Sequence, residues 1–303
     1  MDSQSSMKSP STRRPASTVR FPVAVPATGL PDHRYDGRRW VYTHFSGRTR
    51  GLSVGINLTP GSECDYRCRY CAVPRISFEE PESVDGGLLA REFEETLAAI
   101  RSGAVFRSPP YLRIPGELRT LGRVLLSGEG EPTLCPNFAE IIEMLIQIRA
   151  LGGHPFFRLV LETNGSGLER AQVVEGLGHF TSRDEVWVKL DAGNAERFHR
   201  INGVDMPFDR VLSRILGLGR RRPVVIHSLF DNLDGHAPSR TDISDYLRCL
   251  IDLRAGGALI SRVQIQSASH LPADSRGAHL PLGILSDIAR QVRREVGIDA
   301  EVF

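Results

Sequence analysis

Six short apolar runs recur along the chain, separated by stretches whose apolar residues return every three or four positions. The runs are GLSVGINL (51–58), RVLLSGEG (123–130), FFRLVLETNG (156–165), EVWVKLDAG (185–193), PVVIHSLF (223–230) and SRVQIQSA (261–268). Each has strand length, is rich in β-branched or aromatic residues, and stops in a polar or glycine-bearing turn. The intervening pattern is helical: Phe93, Leu97 and Ile100 make one apolar face, Ile141, Leu145 and Ile148 a second, Tyr246, Leu250 and Leu253 a third. Ile288, Val292 and Val296 make a fourth, with Gly297 as its stop. Near-continuous apolar strands alternating with amphipathic helices predict a parallel sheet covered on both faces and joined by right-handed crossovers. Six units fall short of the eight that close a full barrel. The expected fold is therefore α/β, a six-unit partial (βα)6 TIM barrel with parallel strands, with a doubly wound sheet as the alternative.

Composition changes this picture little. A chain of 303 residues, 41% hydrophobic and 24% charged, buries a large core. Its 38 basic and 36 acidic residues leave a net charge of +2, too small for a global field that attracts nucleic acid or an anionic membrane. Residues 1–20 lack the apolar stretch of a secretory signal, and no apolar run approaches 18 residues, so a cytoplasmic protein without membrane contact is expected. In that reducing compartment five cysteines, an odd number, read as thiols or metal ligands. Residues 1–32, rich in Ser, Pro and Arg, are expected to be a disordered basic tail, and residues 33–303 one domain. Residues 33–51 alternate aromatic and basic residues without a clear period and read as the lead into that domain.

The gap between the first two apolar runs is about twice the later ones, and it holds Cys64, Cys68 and Cys71, spaced Cys-x3-Cys-x2-Cys. In βα folds the loops after the strands build the site. Three thiolates at this spacing can converge on one metal centre. Structural zinc wants four ligands, usually as two separated pairs, and the second pair is missing; a distant His44 or His154 is the residual way to complete such a site. An iron–sulfur cube held by three thiolates keeps one iron open. The alternative, cysteines filling a core, fits poorly with neighbours as polar as ECDYRCRYC. Cys135 and Cys249 stand alone, and Cys249 continues the Tyr246 face as a small hydrophobe.

The segment CDYRCRYC, with an aromatic immediately before its last cysteine, resembles the signature loop of the radical S-adenosylmethionine superfamily, and the resemblance extends over most of residues 51–268. It implies that Cys64, Cys68 and Cys71 hold a [4Fe-4S] cluster whose fourth iron is chelated by the methionyl amine and carboxylate of S-adenosylmethionine. It further implies reductive cleavage of that cosubstrate to methionine and a 5′-deoxyadenosyl radical, with Tyr70 facing the adenine. SGEGEPTL (127–134) is similar to the family's Gly-Gly-Glu-Pro turn for the methionyl amine, with Glu129, Gly130, Glu131 and Pro132 aligning and Glu129 standing where the family has its first glycine.

The next two strand ends, ETNG and VKLDAG, place Asn164, Lys189 and Asp191 at the expected mouth as further cosubstrate contacts. Lys189, Asp191, His227 and Gln266 are the expected walls of a substrate cavity, His227 being equally readable as a hydrogen-bonded core histidine. WVKLDAGNAERFHRING, together with GINLTPGSECDYRCRYC and GEGEPTL, is similar to a cytosolic subgroup related to wyosine-base synthases. Those enzymes carry a second cluster, which two isolated cysteines do not furnish. Arg34, Arg38, Arg39, Trp40, Arg48 and Arg50 could line a nucleic-acid groove or be a solvated basic segment. The expectation is hydrogen abstraction from a small metabolite or peptide, with an electron donor such as flavodoxin or ferredoxin as partner. The alternatives are a tRNA-modifying enzyme, a glycyl-radical-enzyme activase, and a non-catalytic Fe-S or zinc-binding scaffold.

Overall fold

A computed structural model describes residues 38–303 apart from 47, 50, 62, 72, 74–81, 108, 110, 233–236 and 268–277. The tail expected over residues 1–32 lies outside the described residues, as do Arg34 and Arg50.

All six apolar runs form strands: β2 (Gly51–Ile56), β3 (Leu121–Leu126), β4 (Arg158–Thr163), β5 (Glu185–Lys189), β6 (Val224–Leu229) and β8 (Ile260–Gln266). Two further strands widen the sheet, β1 (Val41–Ser46) and β10 (Ala300–Val302), and β7 (Asp231–Asn232) pairs with β9 (Ala278–His279) in a separate ribbon. Among the described residues the main sheet has eight strands in the order β1-β2-β3-β4-β5-β6-β8-β10. All its neighbours are parallel except β1, which runs antiparallel to β2. A doubly wound sheet reverses its strand order at a switch point. No reversal occurs here, so the sheet winds in one direction and is an open, partial barrel.

The helices are α1 (Gly86–Arg101), α2 (Phe138–Leu151), α3 (Ala171–Gly178), α4 (Ala195–Asn202), α5 (Phe208–Gly219), α6 (Arg240–Ala255) and α7 (Leu282–Gln291), the last continued by a π turn, Val292–Val296. The predicted faces are the buried ones: Phe93, Leu97 and Ile100 on α1, Ile141, Leu145 and Ile148 on α2, Tyr246, Leu250 and Leu253 on α6. Gly297 ends the last face with φ 73°, a left-handed conformation that glycine adopts without a Cβ penalty. Val54, Val124, Leu159, Val186, Val224 and Val263 join these helix residues in one core. Leu125, Val160, Trp187 and Val225, from the opposite sheet face, form a separate cluster. Because side chains alternate along a strand, this second face also carries Asn57, Glu162, Lys189, His227 and Gln264. The helix side is thus continuously apolar, whereas the inner face is apolar at one level and polar above and below it.

β1, VYTHFS, is not legible as a strand because arginines on both sides break up the apolar pattern around it. It is fixed by other elements: the buried Glu92 on α1 accepts from the backbone N–H groups of Arg39, Trp40 and Val41 at 3.0, 2.9 and 3.2 Å. The ring of Tyr42 lies across Gly55, where a Cβ would stand 2.0 Å from it. Among the described residues no helix is long and apolar enough to cross a membrane.

Candidate active site

After β2 the chain crosses the carboxyl ends of the parallel strands, and Cys64, Cys68 and Cys71 lie half-buried in this loop. Three neighbours hold it by backbone contacts. Glu131 N–H donates to the Glu63 carbonyl at 2.8 Å, Arg67 N–H to Asn202 at 2.9 Å, and Arg69 N–H to Ile201 at 2.8 Å. Two glycines make the close approach feasible: a Cβ on Gly130 would meet the Glu63 carbonyl oxygen at 2.1 Å, and one on Gly203, at φ 56°, the Arg67 carbonyl oxygen at 2.5 Å. Amide donors reach two of the sulfurs: Asn202 Nδ2 is 3.4 Å from Cys68 Sγ, and Asn164 Nδ2 is 3.8 Å from Cys64 Sγ. Among the described residues no three His, Cys, Asp or Glu side chains already stand together at metal-binding distance. The donor chemistry nonetheless suits an iron–sulfur cluster, whose cysteine sulfurs take such N–H bonds.

The turn after β3 is built around a buried carboxylate. Glu131 Oε1 accepts from Thr133 N–H (3.1 Å), Thr133 Oγ1 (2.5 Å) and Thr163 Oγ1 (2.5 Å), and Oε2 accepts from Asn164 N–H (2.7 Å). Burial pushes this carboxyl above its ordinary range despite those donors. Its side chain therefore fastens the β3 turn to the β4 end. Half-buried Glu129 instead receives Asn57 Nδ2 at 3.0 Å, and Asn57 also caps the N–H groups of Thr59 and Glu129. Asn164 in turn donates to Asp65 Oδ1 (2.9 Å), joined there by Ser166 Oγ (3.0 Å), tying the β4 end to the cysteine loop.

Tyr70, Lys189 and Asp191 meet. The Tyr70 hydroxyl donates to Asp191 Oδ2 at 2.5 Å and accepts from Lys189 Nζ at 2.9 Å, and Nζ lies 4.7 Å from the Tyr70 ring centroid. Asp191 is saturated further by Leu229 N–H and Asn202 Nδ2, each at 2.9 Å. Burial and the adjacent Asp191 charge push the Tyr70 hydroxyl well above its ordinary range, so it stays protonated and donating. Burial opposes the Lys189 charge, but Asp191, Cys68 and Glu162 outweigh it and raise the ammonium pKa.

One largely buried group is not legible as a unit from the sequence, although His227 is expected there as a cavity wall. Arg48, in the β1–β2 turn, makes a bidentate pair with Glu162 at 2.9 Å for both bonds, and its Nη1 is 3.2 Å from His227 Nε2. His227 Nδ1 lies 3.0 Å from Glu162 Oε1. The consistent tautomer is a neutral ring donating from Nδ1 and accepting at Nε2. His227 is thus a hydrogen-bonded core residue. Gln264 is buried on the same face and Gln266 is half-buried at the end of β8. Toward the amino ends of the strands, Arg262 pairs with Glu185 at 2.5 Å and with Glu301 at 3.7 Å. Cys135 and Cys249 are buried on the helix side, against Asn137 Oδ1 (3.4 Å) and the Gly193 carbonyl (3.1 Å).

The family description "Radical SAM superfamily" matches residues 58–233, more than half of the chain. A curated relative, UPF0026 protein slr1464 of Synechocystis sp., is 34% identical over 163 residues, 54% of this chain and 52% of that protein. The match thus spans about half of that relative's length. Among solved structures, a radical SAM methyltransferase from Sphaerobacter thermophilus superposes with a TM-score of 0.61 at 16% identity, covering 87% of this chain and 68% of that one. TYW1 with a lysine-pyruvate adduct bound gives 0.55 at 16% identity, with 81% and 73% covered. Streptococcus suis SuiB bound to S-adenosylmethionine gives 0.55 at 14%, with 84% and 52% covered. At such identities the likeness is one of fold, the open partial barrel.

Proposed function

The chain belongs to the radical SAM superfamily, and from that premise we propose that it abstracts hydrogen from a small metabolite or a peptide, with Cys64, Cys68 and Cys71 as the cluster ligands. The superfamily uses a [4Fe-4S] cluster and S-adenosylmethionine, and the chain is a radical SAM enzyme. When bound, these groups supply one-electron reductive cleavage of the sulfonium to methionine and a 5′-deoxyadenosyl radical.

One observation carries the assignment: the cysteine loop is fastened at once to the β3 turn through Glu131 and Glu63, to the β4 end through Asn164, and to α4 through Asn202. Glu129 and the Gly130 backbone are assigned to the methionyl amine. Glu131, with its carboxylate filled, is a positioning residue. Because the Tyr70 hydroxyl is committed to Asp191, any contact with adenine uses its ring. Lys189, half-buried beside that ring, holds the hydroxyl in place.

Two features favour a small substrate over tRNA. The net charge of +2 offers no general attraction for a polyanion. Cys135 and Cys249, on the helix side, leave the inner face with the loop cysteines alone, so a second cluster has no ligand pair there. A flavodoxin or ferredoxin and a cytoplasmic setting complete the proposal. The test incubates anaerobically reconstituted enzyme with dithionite and S-adenosylmethionine, and compares 5′-deoxyadenosine release with metabolite pools, peptide pools and bulk tRNA. Stimulation by a metabolite or peptide pool is expected. Stimulation by tRNA alone, with a modified base, would replace this reading.

A further inference from the structure

Resting on the cluster reading above, we propose that Asn202 is a positioning residue that raises the reduction potential of the cluster by donating an N–H···S hydrogen bond to Cys68. Its Nδ2 stands 2.9 Å from Asp191 Oδ2 and 3.4 Å from Cys68 Sγ, so both amide hydrogens have acceptors. The side-chain orientation follows from Asp191. An ionised carboxylate only accepts, so the nitrogen and not the oxygen of the amide must face it. Asp191 is itself held by Leu229 N–H and the Tyr70 hydroxyl. The Asn202 Oδ1 atom is buried without a partner. An unmet buried acceptor is unfavourable, and an apolar side chain of the same size would avoid it. What the amide has that such a side chain lacks is its pair of donors.

The backbone makes this placement rigid. Asn202 is the last residue of α4, and its carbonyl and that of Ile201 accept from Arg67 and Arg69, the residues flanking Cys68. Gly203 follows in the left-handed region, where a Cβ would stand 2.5 Å from the Arg67 carbonyl oxygen. The helix end and the cysteine loop therefore move together, which keeps Nδ2 at the sulfur. Reduction adds negative charge to a cluster, and a hydrogen bond to a ligand sulfur stabilises the reduced form more than the oxidised one.

The test uses the reconstituted full chain and an EPR-monitored redox titration of wild type and Asn202→Leu. The expected result is a reduction equilibrium constant about tenfold lower in the variant, a midpoint about 59 mV more negative for a one-electron couple, with iron content unchanged. Should Asn202→Leu fail to hold iron, wild type alone decides: resonance Raman bands of the Fe–Sγ stretch should shift on exchange into deuterium oxide. An iron-replete variant with an unmoved midpoint, or wild-type bands indifferent to exchange, overturns the proposal. A wild type that does not hold about four irons overturns the cluster reading and this proposal together, which separates the two failures.

Discussion

Arg48 and Glu162 form a two-bond ion pair, 2.9 Å at each contact, inside the partial barrel and 114 residues apart in sequence. Burial alone would raise the Glu162 carboxyl, but the Arg48 charge, with His227, more than offsets this and holds it well below the ordinary carboxylate range. The guanidinium also stacks 4.9 Å from the Trp187 ring centroid. Removing one partner strands the other charge. Arg48→Met or Glu162→Gln should each lower unfolding free energy by an amount toward the lower end of roughly 3–5 kcal/mol, since both side chains keep slight exposure. The double variant should lose less than the sum of the two. Urea denaturation of the four proteins reads this directly, and simple additivity would mean that the pair carries no coupling.

His227 gives the structure an acid sensitivity with a defined sign. Burial, reinforced by Arg48 and Lys189, lowers its pKa below 6.5, so the folded ring stays neutral where an unfolded one takes up a proton. Glu162, with its lowered pKa, works in the same direction further down. Both contributions are fully present above the unfolded pKa values and are lost on acidification, that of His227 beginning as the pH falls through about 6.5. Wild-type melting temperature should therefore drop between pH 7.5 and pH 5. His227→Gln, which keeps a donor for Glu162 and an acceptor for Arg48, should flatten the upper part of that drop. An unchanged profile would show that another group titrates there.

The five cysteines divide into two sets by environment. Cys64, Cys68 and Cys71 share one loop at the strand ends, whereas Cys135 and Cys249 are packed in the helix-side core. Burial pushes the thiols of Cys135 and Cys249 up to about 11, which keeps them protonated and poor ligands. Alanine at any of the three loop positions should abolish the brown absorbance of reconstituted protein. Alanine at 135 or 249 should leave iron content and colour intact while lowering the melting temperature slightly, through the small cavity each creates. Loss of iron in either core variant would reassign the cluster.

Legibility in the sequence tracked locality. Strands such as that in RVLLSGEG announce themselves as short, near-continuous apolar runs ending in a glycine-bearing turn, and helices such as that carrying Tyr246, Leu250 and Leu253 by the fixed period of their apolar face. The cysteine loop was legible because three ligand-type residues lie within eight positions. β1 was not, since its stability comes from Glu92, some fifty positions away, and from pairing with β2. The inner-face group escaped for the same reason: Arg48, Glu162 and His227 sit on three separate elements, and each alone looks like a surface charge or an isolated core histidine. Asn202 carried a trace of signal, as the asparagine of FHRING just before a helix-stopping glycine, but its approach to Cys68 across 134 residues has no sequence period.

Glu131 separates a cosubstrate ligand from a positioning residue. Both of its oxygens are engaged by Thr133, Thr163 and the Asn164 N–H, and the residue is 2% exposed. Glu131→Gln turns Oε2 into an NH2 group facing the Asn164 N–H, donor against donor, unless the amide flips and sets its NH2 against the Thr133 N–H instead. Either arrangement leaves a buried polar group unmet, at about 1–3 kcal/mol. The apo variant should therefore melt measurably below wild type before any cofactor is added, and Asn164 should lose its fixed position, weakening its contacts to Asp65 and Cys64. S-adenosylmethionine affinity, read by isothermal calorimetry on the reconstituted protein, should fall in consequence. A carboxylate that bound the methionyl amine directly would behave otherwise: affinity would fall while the apo melting temperature stayed at the wild-type value.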